Sequence, residues 1–141
     1  MSRLSIVTLG TADLEASRRF YVEGLGWEPT FEVAGEVCFI QVAHGVLLAL
    51  WGQEALAEDS RAPVTAGDNV VLACNVDTEE AVAELLATAE RAGARILKPA
   101  QPAFFGGVQG YFADPDGVRW EIAHNPGLSV DADGTVRFAD S

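Results

Sequence analysis

A chain of 141 residues with 49% apolar side chains can bury one core without staples and is far from the composition of a disordered segment. Twenty-one acidic against nine basic side chains leave a formal net charge of −12. That balance argues against nucleic acid and anionic membranes as partners, and favours cationic ligands or plain solubility.

Leu4 to Leu9 reads as a strand, and this first apolar run is too short for a signal peptide. Asp13 supplies an N-cap oxygen for a helix through Leu14, Phe20 and Tyr21, which Gly24 and Gly26 stop. Trp27 to Val33 is a short strand whose Pro29 points to a sheet edge. Val37 to Val42 and Val46 to Trp51 are strands joined by a turn at His44-Gly45, and Gly52 to Asp68 is a polar connection. No stretch approaches the roughly 20 apolar residues of a membrane span.

The pattern then restarts. Asn69 to Val76 is a strand, and Asp77 with Glu80 has the form of a capping box. Val82, Leu85, Leu86 and Ala89 make one apolar helical stripe, which Gly93 ends. Ala94 to Leu97 is a short strand running into Lys98-Pro99, the counterpart of Glu28-Pro29. The loop Gln101 to Val108 combines Phe104 and Phe105 with glycines, a composition suited to a mobile lip. Gly110 to Pro126 reads as two antiparallel strands closing on the turn Asp114-Pro115-Asp116-Gly117. On the second of these, Trp120 and Ile122 share one face while Arg119, Glu121 and Ala123 share the other.

The tail from Ser129 to Phe138 is a hairpin around Asp133-Gly134; its spacing lacks the ligands of a calcium-binding loop. Cys38 and Cys74 lie in apolar runs without metal-type spacing, so two buried thiols and a cytoplasmic location are expected.

The order of elements is βαβββ twice, with 64 to 72 residues between Asp13 and Asp77, Pro29 and Pro99, and Gly45 and Gly117. The expected fold is α+β: a single domain over 1–141 whose two modules form a curled, trough-like mixed sheet with helices on the outer face. Module one covers about 1–52, a linker about 53–68, module two about 69–126 and the terminal hairpin about 127–141.

Ala12-Asp13-Leu14 opening a helix that ends in Phe20-Tyr21 and Leu25-Gly26-Trp27, followed by the Tyr111-Phe112, Asp114-Pro115-Asp116-Gly117, Trp120-Glu121 hairpin, resembles the vicinal oxygen chelate superfamily. That group contains glyoxalase I, extradiol dioxygenases, and fosfomycin- and bleomycin-resistance proteins, and the resemblance runs from Ile6 to Asn125. It implies a metal site built from His, Glu or Gln on the first and last strand of each module. The matching positions here are Ile6, Ala49, Val71 and Glu121, and three of these four side chains have no donor atom. One carboxylate does not hold a divalent ion against water, so no metal and no cofactor is expected. His44, in a turn, and His124, of opposite strand parity to Glu121, do not repair the set.

With those positions apolar, the trough becomes an organic-ligand pocket containing one carboxylate. By parity Thr8, Trp51, Ala73, Asn75, Arg119 and Glu121 share its face, with Gln109 and Tyr111 on the neighbouring strand. Phe39 and Gln41 also line it, and Phe105 belongs to the lip. The leading expectation is a metal-free protein that binds a small aromatic or cationic molecule. The bleomycin-resistance resemblance implies sequestration by a homodimer. Two rivals stand beside it: a cofactor-free lyase or isomerase with Glu121 as catalytic acid/base and Tyr111 or Gln41 facing an oxyanion, and a metal-dependent lyase or dioxygenase.

Overall fold

A computed structural model of the chain describes residues 4–65 and 69–139. These form an α+β structure of two compact units, one up to residue 66 and one from residue 67 onward. Residues 66–68, where the predicted connection ends, lie outside the described residues.

The first unit contains β1 (Ile6–Thr11), α1 (Leu14–Arg18), β2 (Pro29–Val33), β3 (Val37–Ala43), β4 (Val46–Gly52) and α2 (Gln53–Ser60). Asp13 caps α1 as its side chain predicts, with Oδ1 accepting from the Ala16 amide at 3.1 Å. The helix then widens into a π-helical turn, Arg19–Gly24, which buries Phe20 and Tyr21. The sheet runs β1-β4-β3-β2, with β1 parallel to β4 and the other pairs antiparallel. Pro29 sits on the edge strand β2, where a missing amide breaks no ladder. Cys38, Ile40, Leu48 and Leu50 project from β3 and β4 to the buried face, and Phe20 packs edge-to-face on Tyr21.

Helix α2 replaces the first part of the expected linker. Gln53-Glu54-Ala55-Leu56-Ala57-Glu58 are good helix formers, and their polarity hid them within a connection. The helix ends on Arg61, which takes the left-handed conformation at φ 58°, and the Ala62 amide closes on the Ala57 carbonyl at 3.2 Å. It lies so close to β1 that a Cβ on Gly10 would stand 3.2 Å from Leu56 and 2.8 Å from Val64.

The second unit repeats the scheme with β5 (Val71–Asn75), α3 (Glu79–Arg91), β6 (Arg95–Pro102), β7 (Val108–Ala113) and β8 (Arg119–His124). Its sheet runs β5-β8-β7-β6, again with only the first pair parallel. The predicted tail hairpin is present as β9 (Leu128–Val130) paired with β10 (Val136–Phe138). Two expectations need correction. The N-cap of α3 is Thr78, whose hydroxyl accepts from the Ala81 amide at 3.1 Å, not the Asp77–Glu80 box. Strand β6 does not stop at Leu97 but continues through Pro99 to Pro102, an edge strand with two register shifts that accommodate its prolines.

The predicted stripe of α3 is buried through Val82, Leu86 and Ala89. It lies on the sheet where β7 carries Gly110: a Cβ there would fall 2.5 Å from Leu86 Cδ1 and 2.8 Å from the Lys98 carbonyl oxygen. Phe112, Trp120 and Ile122 complete this core, with the Phe112 and Trp120 rings stacked at 6.3 Å.

Candidate functional site

The first sheet turns one face to α1, and the second turns one to α3 and leaves the other open along β5. In the first unit the face opposite α1 carries Ile6, Thr8, Phe39, Gln41, the buried Ala49 and Trp51, and α2 covers it at the Gly10–Trp51 end. Thr8 and Phe39 flank Ala49 across the ladder, Gln41 is opposite Leu47, and Val37 is opposite Trp51. Three of the predicted binding residues, Phe39, Gln41 and Trp51, therefore share one face. The ring of Phe39 packs on Phe31 at 6.2 Å. The Gln41 amide is spent on its own hairpin, donating to the carbonyls of Ala43 at 2.5 Å and Val46 at 3.3 Å.

In the second unit the open face carries Val71, Ala73 and Asn75 on β5, Arg119, Glu121 and Ala123 on β8, and Gln109 and Tyr111 on β7. Strand β5 alternates exposed and half-buried residues along its whole length, with Val71, Ala73 and Asn75 exposed. Asn75 stands at the end of the strand, where its side-chain oxygen accepts from the Asn125 amide at 3.3 Å. The Asp114–Gly117 turn that aligns β7 with β8 closes on Asp114, whose Oδ1 accepts from Asp116 and Val118 at 2.9 and 2.8 Å.

Glu121 is the centre of this face. It is directly opposite Tyr111 on one side and Ala73 on the other. Its carboxylate accepts from the side-chain amide of Gln109, and the Tyr111 phenol lies close enough to feel its charge. Desolvation, and then the charge of Glu121, push the Tyr111 phenol above its ordinary pKa. The other end of Gln109 accepts from Lys98 Nζ at 3.0 Å, and that ammonium lies 6.0 Å from the centre of the Tyr111 ring. A lysine offers only donors and a carboxylate only acceptors, so the orientation of the Gln109 amide is dictated from both ends.

Lys98 is the residue that sequence reasoning missed. A β6 ending at Leu97 left it in a loop, and the register shifts on either side of Lys98 remove the alternation that would have assigned its face. Phe105 lies in the loop 103–107, half-buried, with its ring against the backbone at Gly107 and edge-to-face on the exposed Phe104 at 5.5 Å.

The metal positions suggested by resemblance are symmetric in the structure. Ile6 precedes the N-cap Asp13 by seven residues and Val71 precedes Thr78 by seven. Ile6 and Val71 are opposite Leu47 and Arg119, two residues before Ala49 and Glu121 respectively. The chain thus occupies the equivalent places with isoleucine, alanine, valine and glutamate, a donor set that does not fit a divalent metal. Among the described residues, no three or more His, Cys, Asp or Glu side chains come together as metal ligands. His44 is exposed in its turn, and His124 contacts the Val76 carbonyl through Nδ1 at 2.9 Å, from the opposite side of β8 to Glu121.

A cleft of about 170 Å³ in the first unit lies between α1 and the β2–β3 hairpin, with Leu14, Val33, Val37 and Cys38 on its walls. Two of its charges satisfy each other: Arg18 donates to both oxygens of Glu32, at 3.1 and 3.0 Å, and this holds the Glu32 carboxyl below its usual range. Burial, reinforced by Glu32, pushes the Cys38 thiol up to about 11.

A model of the Glyoxalase/Bleomycin resistance protein/Dioxygenase superfamily matches residues 3–122, and the chain belongs to that superfamily. It is similar over 99% of both chains, at 45% identity and a TM-score of 0.90, to a glyoxalase-related enzyme from Fulvimarina pelagi. A glyoxalase/bleomycin resistance protein/dioxygenase family enzyme from Burkholderia phytofirmans PsJN shares 25% identity at a TM-score of 0.76, over 88% of this chain and 99% of that one. A lactoylglutathione lyase from Agrobacterium tumefaciens shares the fold, at 21% identity and a TM-score of 0.67, over 88% of this chain and 94% of that one. No curated protein matches the chain.

Proposed function

We propose that this protein binds a small aromatic or cationic organic molecule at the open face of the second sheet, without a metal, and that Glu121 is the counter-charge. The observation that carries this reading is the setting of Glu121: a half-buried carboxylate beside an aromatic ring, at the one family ligand position that retains a donor. Sequestration of such a molecule by a homodimer in a reducing cytoplasm is the biological form of the proposal. The two free cysteines, one buried and one half-buried, support the compartment. Among the described residues, no helix is long and apolar enough to cross a membrane.

The test is a thermal-shift screen of cationic and aromatic natural products, glycopeptide antibiotics included, on chelator-free protein whose metal content and molar mass are measured alongside. Glu121→Gln should weaken a cationic ligand about 10- to 100-fold, the scale of one lost charged hydrogen bond. Stoichiometric zinc, nickel or iron in the purified protein, or a screen without a stabilising ligand, overturns the reading.

The place of Tyr111 directly opposite Glu121, within reach of its charge, favours a second reading, a cofactor-free lyase or isomerase with Glu121 as base and Tyr111 beside the developing charge. The first similar structure is described as that of an enzyme, which supports it. Turnover that survives Glu121→Gln with the fold intact removes this alternative.

A further inference from the structure

On the open face of the second sheet, which also carries Arg119, two opposite formal charges are held apart by one side chain. Lys98 on β6 and Glu121 on β8 reach the same glutamine from opposite ends, the ammonium at its oxygen and the carboxylate at its nitrogen. Among the described residues neither charge is ion-paired, whereas Arg18 and Glu32 in the first unit close directly at 3.0 Å. Gln109 is 6% exposed, so this spacer is a built part of the sheet and not a chance surface contact.

The capacity left over is complementary. An ammonium has three donors, of which Gln109 takes one; a carboxylate has about four acceptor sites, of which Gln109 takes one. Beside Glu121 stand Ala73 across the ladder on β5 and, two residues along β8 in either direction, Ala123, opposite Gln109, and Arg119. One set of free donors and one set of free acceptors therefore sit on one face, bridged by one side-chain amide, next to the Tyr111 ring.

We infer that the ligand of this face is a zwitterion of the amino-acid type, with its ammonium group on Glu121, its carboxylate on Lys98 and an apolar side chain near Tyr111. This rests on the ligand-binding reading above and narrows it. A simple cation would bring its charge towards the Lys98 ammonium, and a simple anion would meet Glu121. Only a molecule with both charges gains a charged hydrogen bond at both ends.

Three probes that share a phenyl ring and differ in charge separate the two levels of the proposal: phenylalanine, phenethylamine and 3-phenylpropionate, titrated against the full chain by calorimetry and by amide chemical shifts. Phenylalanine is expected to bind about tenfold tighter than either analogue, with shifts at both Lys98 and Glu121. Lys98→Met should cut phenylalanine affinity about tenfold and raise that of phenethylamine; Lys98→Arg should restore the order. Phenethylamine binding as tightly as phenylalanine overturns the zwitterion and leaves the cationic-ligand reading standing. The tightest binding by 3-phenylpropionate overturns both. No binding by any of the three overturns the zwitterion, and the cationic reading then stands or falls on its own screen. Unfolding midpoints of the variants, measured in parallel, guard against a loss of fold being taken for a loss of binding.

Discussion

Tyr111 stands directly opposite Glu121 across the β7–β8 pair, and its phenol lies within reach of the charge of that carboxylate. Desolvation and the adjacent negative charge both disfavour the phenolate, so Tyr111 titrates above the ordinary tyrosine value of about 10. Glu121→Gln removes the charge and leaves the desolvation. The Tyr111 titration, followed by ultraviolet difference spectroscopy with Tyr111→Phe as the reference, should move down towards the ordinary value without reaching it. An unchanged titration would mean that the two groups do not interact in solution.

The turn that sets this register depends on Asp114. Its side chain is 5% exposed and accepts from two backbone amides, those of Asp116 and Val118. Removing the acceptor leaves two part-buried donors without this partner, at a cost of about 1.5–3 kcal/mol for bonds to a charged group. Asp114→Ala should therefore lower the urea midpoint, and Asp114→Asn, which keeps one acceptor oxygen, should lower it less. Equal stability of the alanine variant and the parent would contradict the turn.

Cys38 and Cys74 are both pushed up to about 11, in each case by burial first, with Glu32 adding to the effect at Cys38. A free thiol is about half ionised near pH ~8.5 and reacts as the thiolate. In the folded protein both should resist a disulfide reagent at that pH, and both should react once urea unfolds the chain. The sign of the pH dependence follows. Folding favours the protonated thiols, so their contribution to stability is whole below the unfolded pKa and is lost as pH rises through about 11. Urea midpoints across the alkaline range check this, with the double serine variant expected to show a shallower decline.

The parts of the fold that residue type decides were legible in the sequence. Asp13 could be read as a cap, Gly117 as the left-handed turn position, and the alternation along β8 put Glu121 away from Trp120. The places where reading failed are those where one local signal competes with another. Thr78 and Asp77 are both acceptable caps, and only the helix phase decides between them. The polar surface of α2 hid its helix-forming composition, and the bulges of β6 broke the alternation that would have exposed Lys98. The network around Glu121 was half legible for the same reason: Gln109 and Tyr111 obey parity, while Lys98 reaches them from a strand that does not.

Gly107 offers the sharpest test of how the β6–β7 loop meets β8. A Cβ built there would lie 1.9 Å from the carbonyl oxygen of His124 and 3.0 Å from its carbon, so the contact is backbone on backbone and no side chain can swing aside. The loop closes just beside it, where the Ala103 amide donates to the Gly107 carbonyl at 2.9 Å. Gly107→Ala must push β8 and the loop apart, at about 1–3 kcal/mol for overpacking of this kind. Two comparisons separate crowding from a general intolerance of alanine. At Gly117 nothing lies within 4 Å of the added carbon but φ is +88°, so Gly117→Ala should cost about 1–2 kcal/mol through backbone strain alone. At Gly127 the nearest atom is 3.4 Å away and the backbone is unstrained, so Gly127→Ala should stay within about 0.5 kcal/mol of the parent. Denaturant midpoints that make Gly107→Ala as mild as Gly127→Ala would place the loop elsewhere. They would also detach Phe105, whose ring stands 3.0 Å from the same added carbon, from the end of the strand that carries Glu121.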